Sequence, residues 1–217
     1  MSGNGFPRGA EMRNRMILAI ATVLILAVGL MAGSHIFEST VNIPLPANET
    51  KFISLPYNNS YTTAATLRND INASGGCVLN VYNWNGTVWQ RYAGGGLYQI
   101  NFAIVPGISY GVMSTCQVTT WNVTGTHNPA TYITLAANVP KLVSIPYESP
   151  STTASLLRNE IVEAGGTGVS VYYYHNFHVT QRWSGGGIGQ EDFEIVPGTG
   201  YVVKSTSDVA AWDPALN

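Results

Sequence analysis

Lys51-Phe52-Ile53-Ser54-Leu55-Pro56-Tyr57 returns ninety residues later as Lys141-Leu142-Val143-Ser144-Ile145-Pro146-Tyr147. The likeness extends both ways. Ile43, Leu45, Ala47 and Asn48 precede the first copy, and Ile133, Leu135, Ala137 and Asn138 precede the second. Downstream, Thr62-Thr63-Ala64 with Leu67-Arg68-Asn69-Asp70-Ile71 recurs as Thr152-Thr153-Ala154 with Leu157-Arg158-Asn159-Glu160-Ile161. Gln90-Arg91-Tyr92 and Gly94-Gly95-Gly96 recur as Gln181-Arg182-Trp183 and Gly185-Gly186-Gly187, now 91 residues on. Phe102, Ile104 to Gly107, Tyr110 and Trp121 recur as Phe193, Ile195 to Gly198, Tyr201 and Trp212 at that second offset. The chain is an internal duplication, with one extra residue in copy two before Gln181. It divides into two β-rich domains, 41–130 and 131–217.

Each copy predicts the same elements. Lys51–Leu55 alternates in polarity and is β-rich, and Pro56 ends it. Thr62 or Thr63 can cap a short helix with Ala64, Leu67 and Ile71 on one face, stopped by Gly75-Gly76. Val78–Trp84 and Thr87–Tyr92 read as a hairpin around Asn85-Gly86. Phe102–Val105 reads as a strand, Pro106-Gly107 as the centre of a type II turn, and Tyr110–Thr115 as the next strand. Ile43–Leu45 and Tyr132–Leu135 add a strand at the head of each copy. The fold class is mostly β within α+β: two tandem antiparallel, sandwich-like domains, each with one short helix.

Charged residues are 10% of the 217, with a net charge of −2. A soluble domain ordinarily carries about 25%. This excludes a solvated coiled coil, and the missing basic face argues against nucleic acid. Residues 1–34 read as an export signal or an anchor. Arg13 and Arg15 precede the apolar run Met16–Met31, and Ala32-Gly33-Ser34 supplies small residues for cleavage. The run is also close to the length of a membrane span, so residues 16–37 engage a membrane at least transiently. A prepilin leader cut at Gly5 or Gly9 is a weaker third reading, because Pro44 and Pro46 stop a long helix. Of 10 basic and 12 acidic residues, Arg8, Arg13, Arg15 and Glu11 lie in this segment, leaving 7 and 11, a net −4. All main readings place the remainder outside the cytoplasm.

Cys77 and Cys116, the only cysteines, both lie in copy one; Thr167 and Ser207 replace them in copy two. In an exported chain this pair favours a disulfide, with two buried thiols as the competing reading. Sequons occur at Asn48, Asn58, Asn72, Asn85 and Asn122, all in copy one. They are candidates for covalent glycans in an archaeal or eukaryotic host, set against the chance level of an Asn/Ser/Thr-rich chain.

Catalytic signals are thin, and the reading is of no enzyme, cofactor or metal. Gly107-Ile108-Ser109-Tyr110-Gly111 matches G-x-S-x-G, but the turn joins two strands and copy two has Gly200 in place of Ser109. His175 and His178 lack a third ligand. Glu191, Asp192 and Glu194 read as a solvated strand entry rather than a glycosidase pair. The triple glycines lack the Lys of a phosphate loop and suit positive φ. Tyr82, Trp84, Trp89 and Tyr92, with Tyr172, Tyr173, Tyr174 and Trp183, form aromatic strand faces. These read either as a sugar or partner platform or as cross-strand packing.

The repeat resembles tandem modules of roughly 75–90 residues in secreted and surface proteins of archaea and bacteria. The resemblance rests on Ile53-Ser54-Leu55-Pro56, Trp84-Asn85-Gly86-Thr87-Val88-Trp89 and Phe102 to Tyr110, with counterparts in copy two. It departs at Lys51 and Lys141, where an aromatic often stands. It implies an extracellular structural role and no catalytic residues. Residues 35–47 are a candidate donor strand, through Ile36, Phe37, Val41, Ile43 and Leu45. Copy two has no following strand in the chain, so this segment could complete the second domain of the next molecule. The expected function is a self-assembling filament or surface-layer subunit, pilus-like or thread-like, partnered by copies of itself. The alternative is an anchored or secreted glycan- or protein-binding adhesion module.

Overall fold

The computed structural model describes residues 38–77, 79–126, 131–188 and 190–214. The signal or anchor at 1–34, with Ile36 and Phe37, lies outside the described residues. Among the described residues no helix is long and apolar enough to cross a membrane. Among the described residues the fold is mostly β, with twelve strands in antiparallel sheets and two short helices.

Copy one contains β1 (Glu38–Asn42), β2 (Thr50–Ile53), α1 (Ala64–Ala73), β3 (Asn80–Trp84), β4 (Trp89–Tyr92), β5 (Tyr110–Met113) and β6 (Asn122–Thr126). Copy two contains β7 (Ile133–Leu135), β8 (Lys141–Ser144), α2 (Ala154–Glu163), β9 (Ser170–His175), β10 (His178–Trp183), β11 (Gly200–Lys204) and β12 (Val209–Trp212). Thr63 and Thr153 cap the helices, accepting from Thr66 N and Leu156 N. Ala64, Leu67 and Ile71 are the buried face of α1, at the spacing that puts side chains on one stripe. Gly75 follows at φ 100°, and Gly76 N–H donates to Ile71 O at 3.0 Å, satisfying a carbonyl of the last turn. Gly107 and Gly198 take φ 77° and 78°, as the second central position of a type II turn requires. Phe102–Val105 forms no strand. Its main chain is spent on the helix entry instead: Ala64 N–H donates to Phe102 O, and Ile104 N–H to Thr62 O.

One eight-stranded sheet runs through both copies, in the order β4-β3-β5-β2-β9-β11-β8, with β10 on the outer edge of β9. Alternation along these strands separates three cores. Ile53, Val81, Tyr110 and Val112 face α1, and Val143, Val171, Tyr201 and Val203 face α2. The opposite faces converge on a third cluster of Phe52, Leu142 and Val202, packed by Trp84, Tyr172 and Tyr174. The β1·β6 and β7·β12 ladders flank the main sheet.

The two copies meet through reciprocal contacts. Ser54 N–H donates to Gly198 O, and Ser144 N–H to Gly107 O, both at 3.0 Å. Tyr57 Oη donates to Ser144 O (3.2 Å) and Tyr147 Oη to Ser54 O (3.1 Å). The two serine hydroxyls lie 2.7 Å apart and fully buried, each within reach of a carbonyl of the other copy: Ile145 O at 2.8 Å and Leu55 O at 2.7 Å. This is the arrangement of a two-fold dimer, written within one chain. It also explains the serine of the repeated motif, because a hydroxyl can donate and accept in a dry interface.

Candidate functional site

The reciprocity fails at the hairpin tips, and that failure creates the site. In copy two, Asn176 and Phe177 turn the chain at φ 48° and 64°, the two positive values of a type I′ turn. The extra residue is taken up by a bulge between Val179 and Gln181. The tip docks on copy one. Asn176 N–H donates to Thr50 O at 3.2 Å, Thr50 N–H donates to Asn176 Oδ1 at 2.5 Å, and Lys51 pairs with His175. His175 Nε2 also lies 3.4 Å from Glu49 Oε2.

The copy-one tip has no such berth. Its turn spans Asn85–Val88, with Gly86 at φ 96° and Asn85 Oδ1 accepting from Thr87 N–H and Val88 N–H. The turn therefore centres on Gly86-Thr87, one residue beyond the Asn-Gly expected from sequence. Opposite it stands Pro140, the counterpart of Thr50, which has no N–H to donate. Among the described residues β3 and β8 are not paired. An open groove of about 390 Å³ remains, with Asn83, Trp84 and Asn85 on one wall and Thr134, Pro140 and Lys141 on the other. It adjoins a hollow of about 220 Å³ walled by Trp84, Trp89, Pro140, Leu142, Tyr174 and Phe177.

The rings here form a connected cluster. Trp84 and Trp89 are 5.4 Å apart, and Phe177 stands edge-on to Trp89 and to Tyr82, at 5.1 Å from each. Phe52 completes it, 5.7 Å from Phe177. Trp89 is 40% exposed. The lining carries one charge, Lys141, whose Nζ donates to Thr134 O at 2.9 Å. Burial lowers its ammonium below the ordinary lysine value.

Of the sequence-selected aromatics, Tyr82, Trp84 and Trp89 share this cluster with Tyr172 and Tyr174 nearby. Tyr92 packs against the first core instead, and Tyr173 and Trp183 against the second. Phe177, Pro140 and Leu142 were missed, although the Thr50/Pro140 mismatch and the longer second hairpin are visible once the copies are aligned. Cys77 and Cys116 form a disulfide with Cα atoms 5.2 Å apart. Asn48, Asn58, Asn85 and Asn122 are exposed. Asn72 is half-buried, and its Oδ1 is enclosed without a partner. Val41, Ile43 and Leu45 are engaged in their own copy, where Ile43 and Leu45 are 1% exposed.

The remaining candidates have structural places. Ser109 is fully buried, with Oγ where a Cβ on Gly200 would stand. Asp192 accepts from Ser155 N–H at the start of α2, as Asn101 does from Ala65 N–H in copy one. Arg68 and Arg158 lay their guanidinium groups against Gly94 and Gly185. Among the described residues no three His, Cys, Asp or Glu side chains are grouped to hold a metal ion. No protein-family model matches the chain, and neither the curated proteins nor the solved structures contain a match.

Proposed function

We propose that this chain is an extracellular structural protein that assembles with copies of itself by exchanging its lead-in strand. The observation that carries this reading is the placement of residues 38–45. They pair with residues 118–126 of the same copy: β1 with β6, Ile43 N–H with Trp121 O, and Leu45 with Val118 in both directions. A short linker joins them to β2. It contains Pro46 and places Asn48 at φ 62°, a region that Asn tolerates but extended chain does not need. If the linker straightens, the same strand fills the same slot in a neighbour. The contacts of residues 38–45 are kept; the left-handed residue is released at the cost of the bond from Asn48 N–H to Ser114 O, which Asn138 and Ser205 repeat in copy two. Repeated head to tail, the exchange builds a filament. The acceptor is then the first copy of the next molecule, not the second as its position in the sequence suggests.

Export is supported by the basic and apolar N-terminal segment and by the Cys77–Cys116 bridge, which is compatible with an oxidising compartment. The exposed sequons leave room for glycans on the surface of such a polymer.

Deleting 35–47 is a poor test, because Ile43 and Leu45 are core residues. Thr40 and Thr124 are better placed, being direct partners with their Oγ1 atoms 2.7 Å apart. The expected result is that Thr40→Cys and Thr124→Cys chains, mixed at high concentration and oxidised, cross-link to one another. The double variant, oxidised while dilute, should close internally and then fail to assemble. Single variants that never cross-link, in material that still forms fibres, would overturn strand exchange.

A further inference from the structure

We infer that the open seam between β3 and β8 is a binding site for an uncharged carbohydrate chain, independent of strand exchange. The molecule itself shows what a protein segment needs here. At the equivalent seam, Asn176 is held by an N–H and a C=O of Thr50. At this seam Pro140 withholds the N–H, so a strand added along β8 loses its first anchor. An extended peptide is therefore disfavoured at the position where the sheet edge is exposed.

What the seam offers instead is flat apolar surface rimmed by neutral polar groups. Trp84 and Trp89 present tilted indoles, with Pro140 and Leu142 facing them across the hollow. A pyranose has an apolar C–H face that stacks on such rings and an equatorial belt of hydroxyls. Polar groups stand at the rim for that belt: Thr134, with Asn83 and Asn85, whose Nδ2 and Oδ1 respectively are already bonded to Gln90 and to the turn, leaving the other amide atom of each to face the groove. No acidic side chain lines the groove, and the one ammonium is already bonded to Thr134 O. That ammonium keeps its charge, but every other lining group is neutral, so the rings and amides favour a neutral ligand by stacking and hydrogen bonding. The groove, at about 390 Å³, falls in the ordinary range of ligand sites and takes a few sugar units. Its walls come from different copies, so neither repeat makes the site alone.

The test is calorimetric titration of the intact exported chain with neutral hexasaccharides of glucose, mannose and N-acetylglucosamine. One of them should bind, and Trp89→Ala should weaken it about tenfold or more. Trp89 is partly exposed, and an unchanged circular dichroism melt would show that the fold survives. Tyr98→Ala, at a loop tip 99% exposed, should leave affinity unaltered. Absence of binding by the whole panel would overturn the assignment. So would equal weakening by Tyr98→Ala, or binding of a proline-rich peptide with no sugar bound. Cross-linking between Thr40 and Thr124 has no bearing on these outcomes, so the two proposals fail separately.

Discussion

The two repeats share a frame and differ in what holds it. Copy one is braced by the Cys77–Cys116 bridge between the segment after α1 and the segment after β5. Copy two has a hydroxyl in its place: Ser207 Oγ accepts from Thr167 N–H. The other bonds here are common to both copies, Thr167 N–H to Ser205 Oγ and Thr206 N–H to Thr167 O matching Cys77 N–H to Ser114 Oγ and Thr115 N–H to Cys77 O. The acid on the helix differs as well. Asp70 Oδ2 accepts from both Trp121 Nε1 (2.7 Å) and Tyr61 Oη (2.6 Å). In copy two, Glu160 accepts from Ser151, while the buried Trp212 Nε1 finds no acceptor. A duplicated fold therefore tolerates different local solutions, provided that the buried strands and the serine junction are kept.

The largest effect should come from the disulfide. Replacing both Cys77 and Cys116 by Ser should cost about 3–4 kcal/mol, read as a lowered denaturation midpoint. Hydrogen exchange should localise the loosening to copy one. A midpoint unmoved by reductant would mean that the local hydroxyl contacts suffice there too.

Next is the helix acid. Asp70→Ala strands two donors and should cost about 2–3 kcal/mol. Trp121→Phe and Trp212→Phe remove the same core volume, and the loss should be larger in copy one by about 1–2 kcal/mol, because only Trp121 gives up a bond, to Asp70. Similar losses in both would erase the contrast.

The junction comes third. A Cβ on Gly200 would lie 1.7 Å from Ser109 Oγ, so only one of these equivalent positions can carry a side chain. Gly200→Ala should cost about 1–3 kcal/mol as overpacking. Adding Ser109→Gly should recover most of it, in a double-mutant cycle by denaturant titration.

Thr50→Pro makes the first copy resemble the second at the seam. It removes the donor to Asn176 Oδ1, for about 1 kcal/mol. Faster exchange of the Asn176 amide should report the opening.

Smallest near neutral pH, but growing in alkali, is the tyrosine contribution. Burial raises Tyr110 and Tyr201 to about 12, partly offset by Val105 N–H and Val196 N–H donating to their hydroxyls. In the unfolded chain they ionise near 10. The unfolded state sheds protons first, so stability falls as pH rises from 10 to 12. Burial also raises Tyr57, Tyr61 and Tyr147, while Lys51 and Lys141 are lowered and act in the opposite sense. Phenolate absorbance should therefore lag behind that of free tyrosine until the chain unfolds.

Local chemistry made much of this legible in advance. The duplication, the Thr-capped helices, the Pro-Gly turns and the paired cysteines depend on residues close in sequence or on internal repetition. So did the presence of Trp84 and Trp89 on one face of the first hairpin, since alternation along its two strands places them there. Phe102–Val105 was misread because β propensity does not reveal that a neighbouring helix entry will take its hydrogen bonds.

By itself, the sequence determined that two copies of one β-rich unit exist, and which face of the short helix points inward. Short-range periodicity and turn stereochemistry do not depend on what lies across the interface. Only the tertiary structure decided that the copies fuse through Ser54 and Ser144 and that Ser109 and Gly200 compete for one space. It also decided that a single proline leaves one seam open while its twin is shut. Those outcomes depend on contacts between residues far apart in sequence, 90 positions for Ser54 and Ser144 and 126 for Thr50 and Asn176, where a missing N–H or an added Cβ counts only once the partner is in place.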